Sequence, residues 1–140
     1  MRNIIITIDG PAASGKEKIS KYISKKWKLK HLDSGIIYRR LALVLFKDKI
    51  NIKNVNQIKK KLKEISNVSF QKSRRIRTQE ISNLASKIAV YNFVRIFVNK
   101  LQYKFVENNK NNQGFVIDGR DIGSVVFKKA NLKLYIEVKP

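Results

Sequence analysis

Apolar positions along the chain follow two rhythms. Ile4-Ile5-Ile6-Thr7-Ile8 is a continuous β-branched run, and a strand apolar on both faces belongs inside a parallel sheet. Residues 10–15 are small and flanked by glycine. Beyond them Ile19, Tyr22, Ile23 and Trp27 recur at helical spacing, so a helix follows. His31-Leu32-Asp33-Ser34-Gly35 reads as a short connector, and Ile37, Leu41, Val44 and Leu45 predict a second helix. Over 51–65, Val55, Ile58, Leu62 and Ile65 share one face while Lys59, Lys60, Lys61 and Lys63 lie mostly on the other. That is an amphipathic third helix with a wet lysine face. A brief strand is expected at 67–70. Ile81, Leu84, Ala85 and Ile88 mark a fourth helix, and Val94, Phe97, Leu101 and Phe105 a fifth, with the apolar register shifting near Tyr91-Asn92. Residues 108–114 are polar and turn-like. Phe115-Val116-Ile117 is a second buried strand ending at Asp118-Gly119, and 132–138 reads as a third.

Strands alternating with helices imply a parallel α/β sheet. With 140 residues, a single domain over 1–140 is expected. A hydrophobic fraction of 43% excludes a disordered chain. No cysteine is present, which removes disulfides and thiol chemistry. No apolar run approaches the roughly 18 residues of a membrane span, so no membrane partner is expected. The chain enters its first strand without a signal-like segment, and a cytoplasmic enzyme is the expectation. The formal charge is +21, from 31 Lys+Arg against 10 Asp+Glu. Such an excess attracts polyanions. Lysine is scattered through every helix, however, and Lys, Ile and Asn share A/T-only codons, so base composition accounts for the bias as well as function does. Specific nucleic-acid binding is not the favoured reading.

Gly10-Pro11-Ala12-Ala13-Ser14-Gly15-Lys16 fits the phosphate-loop pattern G-x-x-x-x-G-K. Small residues let backbone N–H groups turn inward around phosphate oxygens, and the following helix aims its positive end at the same anion. Lys16 would reach the β- and γ-phosphates. Two glycines and a lysine at this spacing arise by chance in roughly 4% of chains this long, so the strand before and the helix after carry the assignment. The next residues are Glu17 and Lys18, where a hydroxyl normally helps hold Mg²⁺. Lys18 has no lone pair for a metal. A Glu17 carboxylate ~6 Å from a phosphate charge would cost about 3 kcal/mol at an effective dielectric of ~20, and much less if it swings into solvent.

Three further segments resemble bacterial cytidylate kinases: Leu32-Asp33-Ser34-Gly35-Ile36-Ile37-Tyr38-Arg39, then Ile76-Arg77-Thr78-Gln79-Glu80-Ile81 with Ala85-Ser86, then Asp118-Gly119-Arg120-Asp121-Ile122-Gly123-Ser124-Val125-Val126-Phe127. The resemblance covers essentially the whole chain. It implies a P-loop NTPase-type parallel sheet flanked by helices, with a helical monophosphate-binding region at about 36–107. It also implies transfer of the γ-phosphoryl group of ATP to CMP or dCMP with Mg²⁺. Carried over by position, Gly10, Pro11, Ala12, Ala13, Ser14, Gly15, Lys16, Glu17 and Lys18 form the ATP loop. Ser34 and Arg39 contact the monophosphate nucleotide; Ser86, Arg95, Arg120 and Asp121 line the cytidine side. Lys16, Arg120 and Asp121 are the catalytic candidates, and no residue is assigned as a metal ligand. Arg39 offers a planar fork suited to phosphate. Ser86 and Arg95 stand nine residues apart, so they share a site only if the helix breaks near Tyr91-Asn92. An acidic Asp121 accepts from an exocyclic amine such as cytosine N4, a contact that disfavours uracil. Trp27 and Tyr38 read as packing residues, and His31, the sole histidine, as a surface or connector residue rather than a catalyst.

The family pattern is not matched everywhere. Only 71–76 stand where the family carries a longer stretch of its cytidine-binding insert, and Lys128 replaces a usual proline. The family's arginine-bearing lid and C-terminal elements are absent from the 140 residues. The fold is therefore expected to be incomplete, and turnover poor or nil. The complete protein is expected to be a monomer. The competing readings are an inactive remnant, a P-loop kinase for another small acceptor, and a basic nucleic-acid-binding module.

Overall fold

The β-branched run forms β1 (Ile4–Asp9). The computed structural model describes residues 4–65, 68–69, 71–110 and 113–139. After β1 come α1 (Lys16–Trp27), β2 (Lys30–Asp33), α2 (Ser34–Lys47), α3 (Val55–Glu64), a 3₁₀ turn (Arg74–Ile76), α4 (Gln79–Ile88) and α5 (Asn92–Asn108). The chain continues through β3 (Gly114–Gly119), a π-helical turn (Ile122–Val126) and β4 (Leu132–Tyr135). It divides into two compact units, residues 1–34 with 105–140, and residues 35–104.

The first unit holds a four-stranded sheet of order β2-β3-β1-β4, parallel at every pairing. Ile4 to Asp9 of β1 register with Gly114 to Gly119 of β3. β3 is buried along its whole length, which is why Phe115, Val116 and Ile117 are apolar in succession, and the run closes on a buried Asp118. Ile8, Ile23, Leu29 and Val116 form a buried cluster, with Ile6, Leu134 and Ile136 against it. Connections leave β1 toward one side of the sheet and β3 toward the other. Ligands of such sheets gather at the carboxyl ends of the strands where that reversal occurs.

Several expectations change here. Residues 30–33 are a strand, not a connector. As a four-residue edge strand, β2 buries fully only Leu32, and so carries no apolar run to read. The last strand stops at Tyr135 and is largely exposed. The third helix starts at Val55, where Asn54 caps it by accepting from Gln57 N at 3.2 Å. Trp27 is not a packing residue: it is 53% exposed, and Tyr22 on the same helix is 61% exposed. Of the apolar stripe on α1, only Ile23 is buried. The strand expected at 67–70 lies largely outside the described residues.

The second unit is helical. Ile37, Leu41 and Leu45 of α2 are fully buried, as are Ile58 of α3, Ile88 of α4 and Val94 and Val98 of α5. The break between α4 and α5 stands where the register shift predicts it. Thr78 caps α4 by accepting from Ile81 N at 3.2 Å.

Candidate active site

The glycine loop and the Asp118–Phe127 segment leave the carboxyl ends of adjacent strands, β1 and β3. Gly10 N donates to Gly119 O at 3.3 Å, tying the two exits together. Within the loop, Ala13 (φ 58) and Gly15 (φ 88) adopt left-handed backbone. Gly15 is the N-cap of α1 and supplies no side-chain cap, so the first amides of that helix are not claimed by a capping side chain. Ser14 Oγ is buried and has no hydrogen-bond partner. Lys16 Nζ folds back and donates to Pro11 O at 3.1 Å. An uncapped helix end, an orphan hydroxyl and a tethered lysine are a donor set that fits a phosphate group.

Glu17 is half exposed and pairs with Lys21 at 3.3 Å, one turn along α1. Solvent and this partner screen its charge, so the repulsion lies well below the value expected for a carboxylate facing the loop. Lys18 is exposed.

Arg120 and Asp121 follow β3 directly and are exposed. Asp121 sits at φ 57, ψ 25 and starts the π-helical turn without giving it a side-chain cap. Its O accepts from Val125 N at 2.9 Å and Val126 N at 3.3 Å. The close approach of this turn to the sheet requires Gly123: a Cβ there would lie 2.6 Å from Thr7 Oγ1. A cleft of about 630 Å³ is lined by Asp9, Gly10 and Pro11 on one side and by Arg120, Asp121 and Ser124 on the other, with Lys133 and Tyr135 of β4 completing it. The root of the loop and two of the cytidine-side candidates therefore meet in one place. Ser34, at the start of α2, is 3% exposed and packs its Cβ 3.0 Å from where a side chain on Gly119 would begin.

The remaining candidates lie in the helical unit. Arg39 is half-buried on α2. Arg95 laces the α4–α5 break, donating to Ala89 O at 3.0 Å, Val90 O at 3.3 Å and Asn92 Oδ1 at 3.4 Å. Ser86 Oγ donates to Ser82 O of its own helix at 3.2 Å. Burial pushes the Tyr38 phenol above its ordinary 10.0, and the Arg95 guanidinium partly offsets that rise.

Two residues near the site are not singled out by sequence pattern. Asp9 ends β1 and grips the π-helical turn with both carboxylate oxygens. A polar residue closing a buried apolar strand just before a glycine loop was the available signal. His31 is the second. It is no connector residue: its Nε2 lies 2.5 Å from Asp118 Oδ2, in a pair where the Asp118 side chain is 1% and the His31 side chain 16% exposed. Where the carboxylate accepts, the imidazole N–H at Nε2 is the donor. Nothing in the local sequence foretells a contact spanning 87 residues.

The cytidylate kinase family profile matches residues 6–140. A cytidylate kinase of Fusobacterium nucleatum is 40% identical, over 97% of this chain and 65% of its own length. A cytidylate kinase of Rickettsia africae is 36% identical, over 99% of this chain and 61% of its own length. A bifunctional pantoate ligase/cytidylate kinase of Prochlorococcus marinus is 39% identical, over 96% of this chain and 28% of its own length. The chain thus spans less than two thirds of the length of these curated relatives. With a parallel sheet, a glycine loop at the end of its central strand and a family match running from β1 through β4, the chain belongs to the cytidylate kinase family.

Proposed function

We propose that this chain serves phosphoryl transfer from ATP to CMP or dCMP, giving ADP and CDP or dCDP. The observation that carries the reading is the cleft in which the root of the glycine loop meets Arg120 and Asp121, in a chain of this family. In this reading, backbone amides of 12–18 and the Lys16 ammonium hold the phosphates of ATP. Chemistry of this kind needs positioning and charge neutralisation more than a proton-transfer base. Mg²⁺ would enter with ATP and neutralise phosphate charge; Lys18, near the place where a hydroxyl normally helps hold the metal, has no lone pair to offer it, and no side chain of the loop is assigned to it. Ser34 and Arg39 would bind the acceptor phosphate. Ser86, Arg95, Arg120 and Asp121 would face the cytidine, with a carboxylate selecting an amine over the uracil carbonyl. The proposed setting is cytoplasmic pyrimidine nucleotide metabolism, with the complete protein a monomer.

The test is ADP formation from ATP-Mg²⁺ with CMP, dCMP, UMP and AMP as acceptors, alongside calorimetric titration with each acceptor. Binding of CMP and dCMP well above UMP is expected, with turnover poor at best and whatever acceptor-dependent ADP formation there is lost in Lys16→Met. Equal response to UMP, or no CMP binding by the folded chain, would refute the reading.

A further inference from the structure

Asp9 has no part in the kinase chemistry just described, yet its side chain joins the exit of β1 to that of β3. It is the last residue of β1 and directly precedes Gly10. Its side chain is buried. Oδ1 accepts from Ile122 N at 2.7 Å and Oδ2 from Gly123 N at 2.9 Å. Both donors belong to the opening of the π-helical turn that follows Arg120-Asp121 without a break. Hydrogen bonds to an ionised, buried carboxylate are the strong kind.

The grip has a conformational consequence. Asp121 holds a left-handed backbone conformation, which aspartate tolerates better than most residues with a Cβ, so its type permits the turn and its neighbours set where the turn goes. Asp9 takes hold of the next two amides and so fixes the direction in which the chain leaves Asp121. The backbone of the same residue is anchored as well: Asp9 O accepts from Ile136 N at 2.8 Å, and Gly10 N donates to Gly119 O at 3.3 Å. Gly123 lets the turn lie this close to the sheet. One carboxylate therefore links the root of the loop to the turn that presents Arg120 and Asp121.

We propose that Asp9 is a positioning residue for the acceptor side of the site: it sets the turn carrying Arg120 and Asp121 against the phosphate loop, so that CMP affinity depends on it more than ATP affinity does. The inference rests on the cytidylate kinase reading. A purely structural residue would weaken both nucleotides together.

The test titrates wild type and Asp9→Asn with CMP and with ATP-Mg²⁺, after circular dichroism shows that both are folded. An amide keeps one acceptor oxygen and turns the other into an NH2 donor group, so one of the two backbone donors loses its partner. CMP affinity is expected to fall about tenfold or more, the loss of one charge-assisted hydrogen bond, while ATP-Mg²⁺ affinity stays within about threefold. Unchanged CMP affinity, or equal losses for both ligands, overturns the inference and leaves the kinase reading standing. A wild type that binds no CMP overturns the kinase reading and the inference with it. If Asp9→Asn does not fold, amide hydrogen exchange of the wild type decides. Protection at Ile122 and Gly123 supports the grip, and exchange there at the rate of an open chain overturns it.

Discussion

Replacing His31 with leucine tests how a buried carboxylate beside the site is kept. The Asp118 side chain is 1% exposed, and the contact assigned to it is His31 Nε2 at 2.5 Å. Leucine has a similar volume, so the variant removes a donor with little loss of packing. Breaking a buried pair by deleting one partner costs about 3–5 kcal/mol. A buried acceptor left without a donor costs about 1–3 kcal/mol, more when charged. The slight exposure of His31 admits some water, which places the expected loss at about 2–4 kcal/mol. For 140 residues the unfolding entropy near Tm is roughly 0.3 kcal/mol per kelvin, so Tm falls by about 7–14 °C if the chain unfolds cooperatively. The assay is urea and thermal unfolding of a double-mutant cycle: wild type, His31→Leu, Asp118→Ala and the double variant. Removing Asp118 alone frees an imidazole that can turn to water, a smaller loss. The double variant should therefore be less destabilised than the sum of the singles by about 1.5 kcal/mol or more. Additivity within about 0.5 kcal/mol would show that the pair is not what holds Asp118, and would refute the reasoning.

Gly123→Ala places a Cβ 2.6 Å from Thr7 Oγ1, on a fully buried residue of β1. Overpacking of this kind costs about 1–3 kcal/mol, read by urea unfolding, and adding Thr7→Ala should recover part of it. For Tyr38 the folded-state pKa is raised above the ordinary 10.0, chiefly by burial. Its contribution to stability is full below that value and is lost as pH rises through the folded pKa. Tyr38→Phe should flatten the alkaline end of the stability profile, and an unaltered profile counts against a buried phenol. Glu17→Gln should change ATP affinity by less than about threefold, because Glu17 is already screened by solvent and by Lys21. A tenfold gain in calorimetry would mean that its charge does reach the phosphate.

Much of this protein is legible in its order of residues. The run at Ile4 to Ile8, the glycine loop and the apolar spacing after it announce strand, loop and helix, since each rests on local sterics and period. The register shift near Tyr91 marks the α4–α5 break for the same reason. Lys16 stands out because a phosphate loop has a fixed pattern, and Arg120 and Asp121 because the segment 118–127 resembles the cytidylate kinase motif. Other features depend on partners distant in sequence. A helical period states which residues share a face but not whether anything covers it, so Tyr22 and Trp27 read as core and stand exposed. β2 holds too few buried positions to show a pattern; it is a strand because β3 pairs with it. The order β2-β3-β1-β4 is likewise a matter of which edges pair. The grip of Asp9 on residues 113 and 114 positions away, and the His31–Asp118 pair, exist only once the strands lie side by side. Sequence alone therefore determined most of the elements and the family motifs they carry, because those follow from near neighbours. Tertiary structure alone decided which carboxylates are buried and what they hold, because burial is set by chain segments that meet only in the folded sheet.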